Sequence, residues 1–540
     1  MTGGRLTRTN GQLAIWLLAV LCLTRANSAL AQGKSVGVVV ERVSFTGNDK
    51  ISAGRLAKVI AHWLHRPLTL ADLDKMAEAV GAYYRTQGFM VAQAYVPPQT
   101  IDGGVVKVSV LEGRFSDIEL STNASRIASE RLLRTARLNA CGRSAGCTDV
   151  GPVMQADIER AALLVSEIPG VTATYQLKAG KEPGSTSIVL DVKRARRFSG
   201  SASLDNEGFA YTGRNRLTLT GNAANLTGRG DLTAFSATYA GGGFYSFSGD
   251  SGLPLGYGGD RAGVTASHLR YALGREFAPL QASGLADTAG VYVTHPVRRT
   301  LSDSIDLRLD LQGRKIQSDI GATGGQSREA ASVVLLTLSG SRLDHWLRTG
   351  SSQWRLSWSY GNLRLQDESS KAFDAASART RGRFDKLAYS LRREELIVPG
   401  LSVFASLTGQ WTARNLDPSE KIGLAGPAAV RAYSSGAVSA DKANILTVES
   451  RIALPQRLWS GAQLAVAPFY DRAWATYSAS PWPTYAGPRD GTYAGGGAYV
   501  SLTVPGRYSV RATWALRDGA QPAPARDAAS QVWVEAAAAF

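Results

Sequence analysis

The sequence predicts an α+β N-terminal region followed by an all-β transmembrane barrel of about sixteen antiparallel strands. Three observations predict it. From about Phe198 onward, short alternating runs follow one another without helical periodicity. Before that point the order β-α-α-β-β occurs twice in tandem. After Leu23 no segment has the roughly 18 consecutive apolar residues of a membrane helix, yet the chain opens with an export signal.

In that signal, Arg5 and Arg8 precede the apolar run LAIWLLAVLCL, and Ala29-Leu30-Ala31 offers a small-residue cleavage site before Gln32. The mature chain therefore leaves the cytoplasm. Losing residues 1–31 removes Cys22, Arg5, Arg8 and Arg25, which lowers the formal charge from +16 to +13. Cys141 and Cys147 remain, in ACGRSAGCT. An even, closely spaced pair in an exported chain is a disulfide candidate that stiffens its own loop rather than stapling the fold. Two thiols without neighbouring histidine make a poor zinc site, and no motif calls for another metal or cofactor. The positive charges are spread along the chain and no nucleic-acid module is present. Anionic lipid head groups, or the rim and lumen of a pore, are the partners that fit; nucleic acid is not.

The N-terminal elements follow in order. VVVERVSFTGN alternates like a strand, and SAGRLAKVIAHWLHR places Leu56, Val59, Ile60 and Trp63 at helical spacing after Ser52. Thr69 caps a second helix closed by Gly88, and the strands MVAQAYVPP and GVVKVSVLEG complete the unit. The second unit reads FSDIEL, ASRIASERLLRTARL, MQADIERAALLVSEI, VTATYQLKAG and TSIVLDVKR. Expected boundaries are 1–31 for the leader, 32–114 and 115–196 for the two units, and 197–540 for the barrel.

Sixteen strand-like runs then extend from SGSASL to VWVEAAAAF. In Gln353–Leu365, Trp354, Leu356, Trp358 and Tyr360 share one face while Arg355, Ser357 and Ser359 take the other. A soluble sandwich alternates too. The export signal, aromatics toward strand ends, uneven loops and a terminal Phe540 within a strand fit an outer-membrane barrel instead.

Several stretches resemble the outer-membrane transporters of two-partner secretion, the haemolysin secretion/activation proteins, within the POTRA-containing barrel superfamily. GFMVAQAYVPPQTIDGGVVKVSVLEGR looks like the end of the family's first POTRA domain. ERAALLVSEIPGVTATYQLKAGKEPGSTSIVLDVKR is similar to its second, and SLDNEGFAYTGRNRLTLTGNAANLTGRGD to its first barrel hairpin. The resemblance implies that a long extracellular loop after strand eleven folds into the barrel with a Val-Arg-Gly-Tyr/Phe tip. A Phe-x-Asp-x-Gly motif on strand thirteen would face it. Here those positions are Val430-Arg431-Ala432-Tyr433 and Phe469-Tyr470-Asp471-Arg472-Ala473. By resemblance Arg431 pairs with Asp471 in the lumen; the lesser alternative is a solvated loop charge. Both motif glycines are alanine here. If the tip needs positive φ, Ala432 is strained; if it needs only a small residue, alanine suffices. Only Gln32 to Gly37 precedes the first strand, too short for the helix that plugs the barrel in many relatives, so the folded-in loop is the expected occluding element.

The function this implies is a monomeric protein-translocating pore in the outer membrane of a Gram-negative bacterium. It would export one large β-helical passenger whose N-terminal secretion domain the periplasmic POTRA domains capture. An open strand edge could accept the passenger by β-augmentation, with Val91, Ala92, Gln93, Ala94 and Tyr95, or Val105, Val106, Lys107 and Val108, as candidates. Either run reads equally well as an ordinary core strand. Two alternatives share the barrel: an assembly factor for other outer-membrane proteins, and a solute porin, which has no use for the two N-terminal units. An enzyme has little support, because His62, His65, His268, His295 and His345 are scattered and LTGRG lies between strands.

Overall fold

A computed structural model describes residues 37–142, 147, 151–182, 184–455, 461–519 and 528–540. The leader and residues 32–36 lie outside the described residues. The chain forms two compact units.

The first unit holds the described residues up to Phe115, with 151–155 and 179–186. Its elements are β1 (Arg42–Thr46), α1 (Ala53–Ile60), α2 (Leu70–Thr86), β2 (Gln93–Tyr95) and β3 (Val105–Leu111). Helix α2 starts at Thr69 because two orphan donors are satisfied reciprocally. Thr69 Oγ1 accepts from the Asp72 N–H at 3.3 Å, and the Asp72 carboxylate accepts from the Thr69 N–H at 3.1 Å. A bond from the Thr69 hydroxyl to the Asp72 carboxylate at 2.7 Å, with the one from the Thr69 N–H, holds the Asp72 carboxyl below its usual range. Leu56, Ile60, Met76, Val80 and Tyr84 from the helices pack on Val106 and Val108 of the sheet.

This sheet corrects one expectation. Val105, Val106, Lys107 and Val108 are not an open edge, because β3 is the central strand. Val105–Ser109 pairs in parallel with β1, and Ser109–Leu111 pairs antiparallel with β2. Pro97 and Pro98 then follow β2 and have no N–H to extend its ladder. The Gln99 carboxamide takes over, accepting from the Lys107 N–H at 2.7 Å and donating to the Lys107 carbonyl at 2.8 Å. Of the other candidate run, Gln93–Tyr95 is a short edge strand, while Ala92 is buried in the core.

The second unit contains most of β4 (Arg114–Asn123), α3 (Ser129–Cys141), α4 (Gln155–Ser166), β5 (Val171–Ala179) and β6 (Ser185–Arg194), with sheet order β4-β6-β5. The sulfurs of Cys141 and Cys147 are joined, with Cα atoms 5.6 Å apart.

The same unit contains the barrel. Its strands are β7 (Phe198–Asp205), β8 (Arg216–Ala224), β9 (Leu232–Ala240), β10 (Phe244–Pro254), β11 (Arg261–Ala272), β12 (Ala282–Arg299), β13 (Asp303–Ile320) and β14 (Gly325–Asp344). They continue with β15 (Thr349–Leu365), β16 (Gly382–Val398), β17 (Leu401–Trp411), β18 (Lys442–Ala453), β19 (Gln463–Thr476), β20 (Asp490–Val504), β21 (Tyr508–Arg517) and β22 (Ser530–Ala539). These sixteen strands close antiparallel, β22 on β7, as the alternation predicts. The closing ladder joins Ser201–Asp205 to Glu535–Ala539. Beyond it the Asn206 side chain acts as a further rung, donating to the Val532 carbonyl at 3.0 Å and accepting from the Val534 N–H at 2.8 Å.

Helices α3 and α4 grip the barrel turns next to them. Arg131 donates to the carbonyls of Pro254 and Gly256 and lies over the Tyr257 ring. Glu159 accepts from the Leu301 N–H at 3.0 Å, and Arg299 bridges Glu167 and Asp306 at 2.9 and 2.6 Å. At the β8–β9 turn, Gly230 has φ +81°, and a Cβ there would stand 2.7 Å from Ile168. The next residue, Asp231, ties the turn through its carboxylate. Burial alone would push that carboxyl up, but hydrogen bonds from the Thr227 hydroxyl and the N–H groups of Thr227 and Leu226 outweigh it and hold it below the usual range.

Candidate functional site in the barrel lumen

The connection from β17 to β18, residues 412–441, is a hairpin rather than an open loop, because Ile422–Gly423 pairs with Ser439–Ala440. Gly426 (φ +107°) and Gly436 (φ +71°) make its bends, positions where a β-carbon is disfavoured. Between them Val430, Ala432 and Tyr433 are buried, and so is Arg431, at 8% exposure.

Arg431 meets Asp471 of β19 side by side. Its Nε donates to Oδ2 and its Nη2 to Oδ1, both at 2.8 Å, and the Arg431 backbone N–H adds a third bond to Oδ2 at 3.1 Å. Thr447 Oγ1 donates to Asp471 at 2.9 Å. The remaining guanidinium nitrogen, Nη1, donates to Glu449 of β18 at 2.8 Å. Behind Glu449 the chain of charges continues through Arg451 to Glu394, each contact at 2.9 Å. The guanidinium also lies 3.4 Å over the Phe469 ring, and the Arg431 carbonyl accepts from Trp533 Nε1 of β22 at 2.8 Å. Every polar group of Arg431 that these contacts involve is therefore matched, as a buried cation requires.

The two alanines fit by volume. Neither Ala432 nor Ala473 has a positive φ. The Ala432 methyl lies against Gly495 of β20, where an added Cβ would come within 2.3 Å of it. Space is made by glycine on the wall instead of glycine at the tip. Ala473 is fully buried in the same cluster, and β19 runs on to Thr476, well past the Phe469–Asp471 segment.

A second clasp holds the stem. Glu420, 4% exposed, is met by Arg314 of β13 and by Lys386 of β16, the latter at 2.9 Å. Its carbonyl accepts from Lys386 and from Gln410. Asp441, fully buried, binds Lys421 at 3.0 Å and the N–H groups of Leu416 and Ala479. The loop thus offers a cation to wall acids at its tip and an anion to wall cations at its stem. Sequence reading singled out Arg431, Asp471 and Phe469, which the fold brings together, but missed Glu449, Arg451, Glu420 and Trp533. The signal was present for two of these: Glu449 and Arg451, two residues apart, share the face opposite apolar Val448. The candidate segments Gln93–Tyr95 and Val105–Val108 lie in the other unit and take no part in this cluster.

Comparison with known proteins places these features in context. The profile of the haemolysin secretion/activation proteins ShlB/FhaC/HecB matches residues 184–472, and that of the ShlB-type POTRA domain matches 38–113. The heme/hemopexin transporter protein HuxB of Haemophilus influenzae is 28% identical over 470 residues, covering 86% of this chain and 80% of that protein. The outer membrane transporter CdiB of Dickeya dadantii is 25% identical over 381 residues, covering 69% and 65%. Among solved structures, CdiB from Escherichia coli superposes with a TM-score of 0.71 at 19% identity, covering 96% of this chain and 93% of that one.

Proposed function

The chain belongs to the haemolysin secretion/activation proteins ShlB/FhaC/HecB, and on that premise we propose that it exports one large β-helical passenger of adhesin or haemolysin type, with Arg431 and Asp471 fixing the loop that fills its pore. It is an outer-membrane transporter of two-partner secretion and not an enzyme; its POTRA domains are periplasmic. Arg431 supports the loop's role best. A buried guanidinium bonded to two carboxylates is expensive to displace, so it suits a device that holds one loop position rather than one that only adds stability. The passenger's N-terminal secretion domain would pair with a POTRA strand edge. Gln93–Tyr95 and β1 are the edges available in the first unit, since β3 is enclosed. No nucleotide is needed, because folding of the passenger outside supplies direction.

The test is passenger export in cells that make the chain together with its passenger. Arg431→Ala should lower export while barrel abundance in the outer membrane stays normal. Normal export at normal abundance would remove the role given to Arg431. Loss of porin insertion with secretion intact, on deleting the gene, would favour an assembly factor over export.

A further inference from the structure

We propose that the outward face of β11–β16, near the extracellular rim, binds the phosphate groups of the outer leaflet's anionic saccharolipid. Five exposed cations define the surface: Arg270, Lys315, Arg328, Arg364 and Arg383. Strand alternation sets their direction. Lys315 shares a face with the exposed Leu307, Leu309 and Leu311, while Asp310 lies on the opposite, lumenal face and is buried. Arg364 shares a face with Trp358 and Tyr360, whereas its neighbours Leu363 and Leu365 are buried inside.

The register gathers these residues into one patch. Arg270 lies opposite Leu285, Leu285 opposite Gln317, and Gln317 opposite Arg328. One row nearer the periplasm, Lys315 lies opposite Ala330 and Ala330 opposite Arg364. One row further, Arg383 lies opposite Asn362. At about 4.8 Å per strand and about 7 Å per row, Lys315 and Arg364 are roughly 10 Å apart, and Arg328 is within reach of both.

Four cations of the lumen are treated differently. Arg314, Arg431, Arg451 and Arg308 each hold a carboxylate. Among the described residues none of the five outward cations has a carboxylate within 4 Å. Asp287, Asp319 and Asp385 share their face, but Asp287 is taken by His268 at 2.7 Å and cations outnumber acids.

Depth agrees with this. Strands β12 to β16, of 17 to 20 residues, form most of this side of the barrel, beside the 12-residue β11. Tilted as barrel strands are, 18 residues rise roughly 40 Å against an apolar band of about 25 Å. Their ends must therefore project past the hydrocarbon. The stacked Trp358–Tyr360 pair, 6.0 Å between centroids, is of the kind that forms an interfacial girdle, and Arg364 lies two repeats of the pleat beyond Tyr360. Arg328 Nη2 donates to the neutral Gln326 carboxamide at 3.3 Å, and guanidinium groups without a carboxylate partner at head-group height meet phosphate through bidentate charge-assisted bonds. The outer leaflet of this membrane is built of a phosphorylated glucosamine lipid, which supplies that phosphate.

The test uses the full-length protein in detergent, titrated with detergent-dispersed bisphosphorylated lipid A, dephosphorylated lipid A or inorganic phosphate. Each near-surface cation strengthens such binding about five-fold, so a Lys315→Gln/Arg328→Gln/Arg364→Gln variant should bind the bisphosphorylated lipid about 100-fold more weakly. Heat-modifiable migration equal to wild type shows that the variant is folded; if it fails, Lys315→Gln alone should weaken binding about five-fold. Dephosphorylated lipid and inorganic phosphate should bind neither protein measurably. Equal affinity of the folded variant and wild type, or equal binding of dephosphorylated lipid, overturns the proposal. Inorganic phosphate binding as tightly as the lipid overturns the assignment to a lipid.

Discussion

Arg431 and Asp471, forty residues apart in sequence, meet through two parallel hydrogen bonds of 2.8 Å, and the same arginine reaches Glu449 with its remaining nitrogen. The pair is thus one side of a three-residue cluster. Replacing Asp471 by Asn leaves Arg431 with one carboxylate; replacing Arg431 leaves two carboxylates facing each other.

From this asymmetry, Arg431→Ala should cost more than Asp471→Asn. Losing one partner of a buried pair costs about 3–5 kcal/mol, and here the repulsion of Asp471 and Glu449 adds to it. Arg431→Lys keeps the charge but loses the bidentate geometry, so export should fall between wild type and Arg431→Ala. The double exchange Arg431→Asp with Asp471→Arg should rescue poorly, because Glu449 would then face a new carboxylate. Adding Glu449→Gln to the exchange should improve it. Passenger export normalised to barrel abundance is the measurement.

The stem clasp separates loop anchoring from tip recognition. Glu420→Gln leaves the tip cluster intact but weakens the grip of Arg314 and Lys386. Planar-bilayer recordings should then show more frequent open events than wild type, with the barrel still heat-modifiable. Unchanged conductance would mean that the tip alone holds the loop.

The methyl of Ala432 and the missing Cβ of Gly495 form a complementary pair. Gly495→Ala should displace the tip, since its Cβ would stand 2.3 Å from that methyl. Ala432→Gly alone should be mild, and the double variant should recover only the part of the loss due to the methyl, because the same Cβ would still stand 2.6 Å from the Leu516 carbonyl oxygen. A coupling of about 0.5–3 kcal/mol is the range for residues in contact. Additive effects on thermal stability or export would contradict the packing described.

Asp231 predicts an acid limb. Its folded-state pKa is lowered, so its contribution is fully present above the unfolded value and is lost as pH falls through the folded one. Asp231→Asn should lower the thermal midpoint at neutral pH, and the gap from wild type should close below about pH 4. A gap that persists in acid would assign the effect to turn geometry instead.

Much of the fold was legible because alternation and length are local properties. Sixteen runs gave sixteen strands, and Thr69 marked a helix start that the backbone uses. What was not legible was adjacency. Nothing local distinguishes β3 as central from β2 as edge, since both alternate; only the parallel pairing with β1 does. The tip motif located Arg431 and Asp471, but Glu449 lies two strand positions from a residue already known only once β18 and β19 are in register, through Glu449 opposite Phe469. Glu420 was harder still. Its partners sit on β13 and β16, far from it in sequence, and a glutamate after Pro-Ser looks like any surface turn. Ala432 became intelligible only when Gly495 was found against it.

The two clasps also decide how the pore answers an electric field. Residues 412–441 carry Arg414, Lys421 and Arg431 against Asp417, Glu420 and Asp441, so the loop as a whole is neutral. A charge moved across the full potential gains about 2.3 kcal/mol per 100 mV, but here opposite signs travel together and the forces cancel. Withdrawal of the intact hairpin would then be nearly indifferent to voltage, and a force to drive it out would have to be mechanical, such as the volume of a chain entering from below.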